Sequence, residues 1–339
     1  MIENNQQNLV LEVKNLKTYF DTASGVVHAV DGVSFSLSSG QTMGIVGESG
    51  SGKSVTGNSI IRLLPPKTGK IAAGEILYKG QDIVKMSHEE VLRLRGQDIS
   101  AIFQDPMTSL DPVFTIGDQM VEMICEHNDM SKVQAWKLAV DALKQVGMPE
   151  AEKRMSSYPY QLSGGMCQRV IIAMAVCVQP QIVIADEPTT ALDVTVQAQV
   201  LDLLRKMQKQ NNTAILLITH DLGVIWEMCD TVMVMYAGRT VEFCSVGDLY
   251  ANAMHPYTWG LLDSIPKLSE EHKADLSTIK GNPPDLRLTG DSCNFYNRCP
   301  YAQAICQEAQ PPLVELSHGH LVACHRQNAI QHLQKGQVD

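Results

Sequence analysis

The sequence predicts an α/β fold: a mixed β-sheet core, an antiparallel β region beside it, an inserted α-helical segment and a small Cys-rich C-terminal extension. Three observations predict it. The glycine-rich stretch Gly47-Glu-Ser-Gly-Ser-Gly-Lys-Ser54 joins a short apolar run to a helix-forming one. Apolar segments of strand length occur before residue 104 and return after 182, with helical periodicity between them. Cys293, Cys299, Cys306 and Cys324 crowd into the last part of the chain.

Composition sets limits on function. The 339 residues suffice for one large domain plus a smaller one, and 44% hydrophobic with 19% charged residues is ordinary for a globular protein. A net charge of −10 argues against a general nucleic-acid binder, which needs clustered Lys and Arg. Residues 1 to 8 are polar, so no secretory leader is expected. The longest apolar run, 170–178, is nine residues, under half of a membrane-spanning helix. These features predict a cytosolic chain whose membrane role, if any, comes through partners.

The elements follow in order. Residues 9–13, 33–37 and 74–78 fit strands, with turns at Ser38-Ser39-Gly40 and Lys79-Gly80. Residues 42–46 are short and apolar, as a buried parallel strand is, and residues 54–64 can run as a helix until Pro65-Pro66 stops it. Residues 99–103 form another buried-type strand. From 105 to 165 the texture is helical, with apolar residues at helical spacing over 117–127 and 131–146. Core strands return at 182–185, 214–219 and 231–236, with a helix over 194–210 between two of them. A tail with many Pro and Cys residues begins near 255.

The stretch 47–54 has the spacing of a loop whose backbone N–H groups curl around a polyphosphate. Gly47, Gly50 and Gly52 permit the backbone angles and the close approach, while Glu48, Ser49 and Ser51 fill the positions between. The helix that follows starts at this anion site, with Val55 in its first turn. Lys53 is placed to reach the β- and γ-phosphates and Ser54 to ligate Mg²⁺. A Gly/Ser-rich surface loop is the plain alternative; strand, loop and helix in sequence argue against it. Asp186-Glu187 closes the strand 182–185, at the end where open α/β sheets bind ligands. Beside a phosphate loop, Asp186 is expected to hold Mg²⁺ and Glu187 to act as general base toward water. The segment Leu162-Ser163-Gly164-Gly165 opens a helix over 166–178 and so makes a second anion site.

With Leu162-Ser163-Gly164-Gly165 in view, the chain resembles the ATP-binding cassette (ABC) ATPases, whose signature motif these residues match. The resemblance covers residues 9 to 243. It implies that Leu162, Ser163, Gly164 and Gly165 meet ATP held by a second ABC ATPase subunit, so that ATP joins a head-to-tail dimer. It implies that Gln104 senses Mg²⁺ and the attacking water, that Asp193 of Thr190-Ala-Leu-Asp193 lies at the dimer seam, and that His220 orients the γ-phosphate. An aromatic residue near position 20 is expected to stack on adenine; Phe20 is favoured over Tyr19, although either fits an apolar strand. The predicted domains are an ATPase core (1–104 and 166–254), a helical subdomain (105–165) and an extension (255–339).

Met166-Cys167 stands where glutamine is commoner in the family, a variant similar to that of peptide importers. His255-Pro-Tyr-Thr258 and the long tail also look like the ATPase subunits of oligopeptide, dipeptide and nickel importers. That resemblance implies a heterodimer with a paralogue, two transmembrane permease subunits receiving force through 105–165, an extracytoplasmic substrate-binding protein, and a peripheral position at the cytoplasmic face of the membrane. A nickel or other small-solute importer and a non-transport ABC ATPase are the alternatives.

Cys125, Cys167, Cys177, Cys229 and Cys244 are scattered on apolar stretches and read as small core residues. Cys293, Cys299, Cys306 and Cys324 are separated by 5, 6 and 17 residues. Four thiolates suit Zn²⁺ or a [4Fe–4S] cluster. The wide gaps, Cys299-Pro300 and a resemblance to the cluster-bearing tails of some peptide-importer ATPases favour the cluster, with Zn²⁺ the alternative and free thiols the plain reading.

Overall fold

The structure, a computed structural model, describes residues 8–190, 192–265 and 279–326. Ala191 of the Thr190–Asp193 stretch, residues 266–278 and 327–339 of the predicted extension and the first seven residues of the predicted leaderless start lie outside them. The described residues form two compact units, one with residues up to 11, 36–42 and 78–218, the other with 12–35, 43–77 and those from 219 on.

In the first unit, Ile99–Ile102, Ile182–Asp186 and Ala214–Ile218 run parallel in that order. Every residue of the last two strands is buried, because Ile, Val, Leu and Ala runs suit strands covered on both faces. The register pairs Ile102 with Ala185 and Asp186 with Ile218, so the strands end nearly level. The helices Ile116–His127, Lys132–Gln145 and Gly164–Cys177 pack on one another. Ile116, Met120 and Ile124 recur four apart on the buried face of the first. Capping boxes start the first two, Thr115 with Asp118 and Ser131 with Gln134.

In the second unit, Thr42–Val46 lies parallel to Thr231–Tyr236, Met43 opposite Thr231 and Val46 opposite Val234. The strand Arg239–Ser245 returns antiparallel, and the tail strands His320–Val322 and Val314–Ser317 join beyond it. The extension therefore widens the core sheet. A separate sheet carries Gly25–Ser38, Leu9–Thr22 and Gly69–Tyr78 side by side, so the segments predicted at 9–13, 33–37 and 74–78 belong to longer strands. The helix after the glycine loop is shorter than predicted: Lys53–Ile60, not 54–64. Arg62 takes a left-handed φ of 53° and turns the chain before the prolines are reached. Val46, Val234, Tyr236, Tyr257 and Phe295 share one apolar cluster. Phe295 from the tail meets Tyr236 and Tyr257 edge-on at 5.1 and 5.4 Å between centroids, the geometry that aromatic quadrupoles prefer. Among the cysteines read as core residues, Cys167 and Cys244 are buried while Cys125, Cys177 and Cys229 are only half-buried.

Candidate active site

Within the second unit, the strand Thr42–Val46 runs into the loop 47–52 and then the helix Lys53–Ile60. Gly47, Gly50 and Gly52 have φ of 153°, 77° and 101°. A Cβ on Gly47 would strike the Met235 carbonyl oxygen and Ser51 Oγ, and one on Gly52 the Ala29 carbonyl oxygen. Glycine is required there for space as well as torsion. Lys53 is buried, and its Nζ donates to the carbonyl oxygens of Gly47 (2.7 Å) and Glu48 (2.9 Å). Ser51 Oγ is buried and has no hydrogen-bond partner among the described residues. Ser49 and Gly50 are exposed, while Ser54 and Val55 are half-buried in the helix's first turn. A glycine cradle, a buried ammonium, a buried hydroxyl and a helix N-terminus fit a polyphosphate. The Ser54 hydroxyl is a hard oxygen donor of the kind Mg²⁺ takes.

His220 is exposed and shares a cavity of about 290 Å³ with Gly47, Glu48, Asp221, Leu261 and Ser264. The structure thus brings the predicted histidine to the phosphate loop. Tyr19 and Phe20 point to opposite faces of their strand. The Tyr19 ring stacks on His28 at 4.3 Å and its hydroxyl donates to Asp31 (3.0 Å), whereas the Phe20 ring lies against Gly69.

In the first unit, the register that pairs Ile102 with Ala185 sets Gln104 level with Glu187. Gln104 Nε2 donates to Glu187 Oε2 (3.1 Å), and Thr190 Oγ1 donates to the same oxygen (2.9 Å). The Glu187 N–H donates to Ile218 O (2.8 Å) and its φ is 47°, a left-handed conformation unusual for glutamate. Asp186, one residue earlier, is buried at the strand end. The predicted pair Gln104 and Glu187 is therefore in contact. Thr190 as its third member had no sequence signal beyond membership of the Thr190–Asp193 stretch.

Ser163 is the N-cap of Gly164–Cys177, accepting from the Met166 N–H (3.3 Å), so the helix starts at Gly164 rather than Met166. Leu162 is buried, Ser163 and Gly164 are exposed and Gly165 half-exposed; a Cβ on Gly164 would meet nothing within 4 Å among the described residues. Asp193 caps the helix Val194–Asn211, its Oδ1 accepting from the Val196 N–H (3.0 Å). That bond gives Asp193 a structural task within its own chain.

Residues 30–190 match the family described as ABC transporter, and 241–306 match the oligopeptide/dipeptide transporter C-terminal region. The chain is 49% identical over 319 residues to the oligopeptide transport ATP-binding protein OppD of Escherichia coli, covering 94% of each. It is 46% identical to the probable peptide ABC transporter ATP-binding protein y4tR of Sinorhizobium fredii, covering 98% of this chain and 99% of that one. This chain belongs to the ATP-binding proteins of oligopeptide and dipeptide ABC transporters. It also resembles the dimeric ATP-binding cassette MJ0796 bound to ADP and Pi, with a TM-score of 0.64, 26% identity, and coverage of 70% of this chain and 98% of that one. As an ABC ATPase it hydrolyses ATP. No helix among the described residues is long and apolar enough to cross a membrane.

The transporter family's C-terminal region contains three of the four tail cysteines. All four line one small cavity with His255, Tyr301 and His325. Burial pushes the Cys299 and Cys324 thiols up, to about 12 and about 11. Among the described residues no three of these sulfurs lie within 4.8 Å of one another. Tetrahedral Zn²⁺ with Zn–S bonds of about 2.3 Å holds its sulfurs about 3.8 Å apart. Four thiols around one cavity are, in kind, the donor set of a soft metal group.

Proposed function

We propose that this chain powers peptide import as one of two ATPase subunits beneath a membrane permease. ATP lies with its phosphates in the loop Gly47–Ser54 and its adenine on Phe20. Ser54, Asp186 and Gln104 are the residues that would hold Mg²⁺, which when bound neutralises charge across the β- and γ-phosphates. Lys53 turns its ammonium from the loop carbonyls to the phosphates. Glu187 takes a proton from the attacking water, its carboxylate aimed by Gln104 and Thr190. His220 positions the γ-phosphate from the side of the loop. Ser163 and the amides of Gly164 and Gly165 serve the nucleotide of the opposite subunit, so ATP binding draws the two together and hydrolysis releases them.

The carrying observation is the Glu187 carboxylate fixed by two donors at a level strand end. The peptide cargo rests on the family to which the chain belongs. We assign the second ATPase to a paralogue, and the further partners to two permease subunits and an external substrate-binding protein, with the chain peripheral at the cytoplasmic face. Met107, Val113 and Phe114, exposed in the helical segment 105–165, support that segment as the permease dock. Cys293, Cys299, Cys306 and Cys324 hold a [4Fe–4S] cluster with a structural role.

The test is Glu187→Gln in the intact transporter in vesicles. Hydrolysis should fall by at least about 100-fold while ATP-dependent dimerisation persists. Undiminished hydrolysis would overturn Glu187 as the base. Peptide delivered by the binding protein should stimulate the wild-type ATPase; stimulation by nickel alone would overturn the cargo.

A further inference from the structure

We infer that the C-terminal extension forms part of the nucleotide site, with Arg298 and Tyr257 as positioning residues that hold Glu48 and thereby set the affinity for ATP. All three polar parts of Glu48 are engaged. Its N–H donates to the Tyr257 hydroxyl (2.8 Å), its carboxylate receives Arg298, and its carbonyl oxygen accepts from Lys53 Nζ (2.9 Å). Glu48 thus links the extension to the lysine that meets the phosphates.

The Arg298 contact is a fork on a fork. Nη1 donates to Glu48 Oε2 at 2.6 Å and Nη2 to Oε1 at 2.9 Å, a bidentate pair that fixes the carboxylate's plane. The other donors are engaged as well: Nε to Lys280 O (3.0 Å), Nη2 to Ile279 O (3.2 Å) and Nη1 to Tyr236 Oη (3.3 Å). An arginine has five N–H groups, and this one uses each of them. Its side chain is 5% exposed and its guanidinium lies 5.7 Å from the Tyr236 ring centroid. Tyr257 is fully buried in the same aromatic cluster. The pair is therefore built into a packed wall.

Two effects follow for ATP. The wall fixes the second residue of the loop, and so the carbonyl that steers Lys53. It also cancels a negative charge on the loop itself. Without Arg298, the Glu48 carboxylate, 28% exposed, would face the polyphosphate unpaired and repel it. Removing the repelling charge should then restore what removing arginine takes away.

The inference rests on the loop 47–54 as the phosphate site, and Lys53→Ala tests that separately: loss of binding is expected, and retained affinity would remove the phosphate-site reading. The measurement is KM for MgATP and kcat in the intact transporter, with equilibrium binding of trinitrophenyl-ATP and the thermal midpoint without nucleotide. Arg298→Ala should raise KM and Kd about tenfold, with kcat changing less than about twofold. Adding Glu48→Gln to Arg298→Ala should recover most of the affinity, which a merely structural arginine would not permit. Unchanged affinity in Arg298→Ala, or further loss in the double variant, would overturn the inference. Should Arg298→Ala fail to assemble, Tyr257→Phe decides, since it deletes one oxygen and keeps the ring. A rise in KM supports the inference, and wild-type KM overturns it.

Discussion

Glu187 combines an uncommon backbone with a fixed side chain. Its φ of 47° lies where non-glycine residues are strained, and such strain persists only when neighbours enforce it. Here Ile218 O holds its N–H while Gln104 and Thr190 hold its carboxylate. The strand-end pair Asp186-Glu187 was legible because a run of buried residues must end somewhere, and acids there face a ligand. Thr190 was not, because its role depends on how the chain turns after Pro188. A second residue-scale prediction concerns adenine. Tyr19 already spends its ring on His28 and its hydroxyl on Asp31. Phe20→Ala should therefore raise KM for ATP about tenfold, as loss of a stacking platform does, while Tyr19→Phe leaves it unchanged. The reverse pattern in nucleotide titrations would assign adenine to Tyr19.

The helix Pro256–Asp263 shows what an element asks of a single ionisable cap. His255 is buried, and its Nδ1 accepts the Tyr257 N–H (3.1 Å), which only a neutral ring can do. Burial lowers its pKa to about 4, with Glu242 pulling weakly the other way. The folded state thus refuses a proton that the unfolded chain binds below its usual 6.5. Stability is unaffected by this group above that pH and is lost as pH falls toward 4, by at most about 1.4 kcal/mol per pH unit. Thermal midpoints from pH 7 to pH 4.5 should drop more steeply for the wild type than for His255→Asn, and equal slopes would contradict the assignment. This helix had no signature beyond a family resemblance, being short and started by proline. The strands Val314–Ser317 and His320–Val322 escaped notice for a related reason: seven residues, three of them polar, form strands only because Arg239–Ser245 offers an edge. The strand 42–46 and the helices near 116–127 and 132–145 were legible because periodicity and caps fix them locally.

At the scale of the molecule, local rules located the chemistry and long-range packing completed it. Positive-φ glycines between a fully buried strand and a helix mark the phosphate loop 47–54. Arg298 and Glu48 are 250 residues apart, and no pattern in the sequence joins them. The four tail cysteines could be read as a ligand set, and all four line one cavity. Protein purified without oxygen should be brown, absorbing near roughly 400 nm from thiolate-to-iron charge transfer, and Cys299→Ser should bleach it. A colourless protein carrying one zinc per chain would reject the cluster.

The wall behind Glu48 also bears on where this protein can be cut. A boundary after residue 254 would sever Tyr257, Phe295 and Arg298 from the loop they brace. The shortened polypeptide would retain each hallmark of a nucleotide engine and yet grip its fuel differently. Kinetics recorded on such a trimmed cassette would describe a variant of the machine rather than the machine itself.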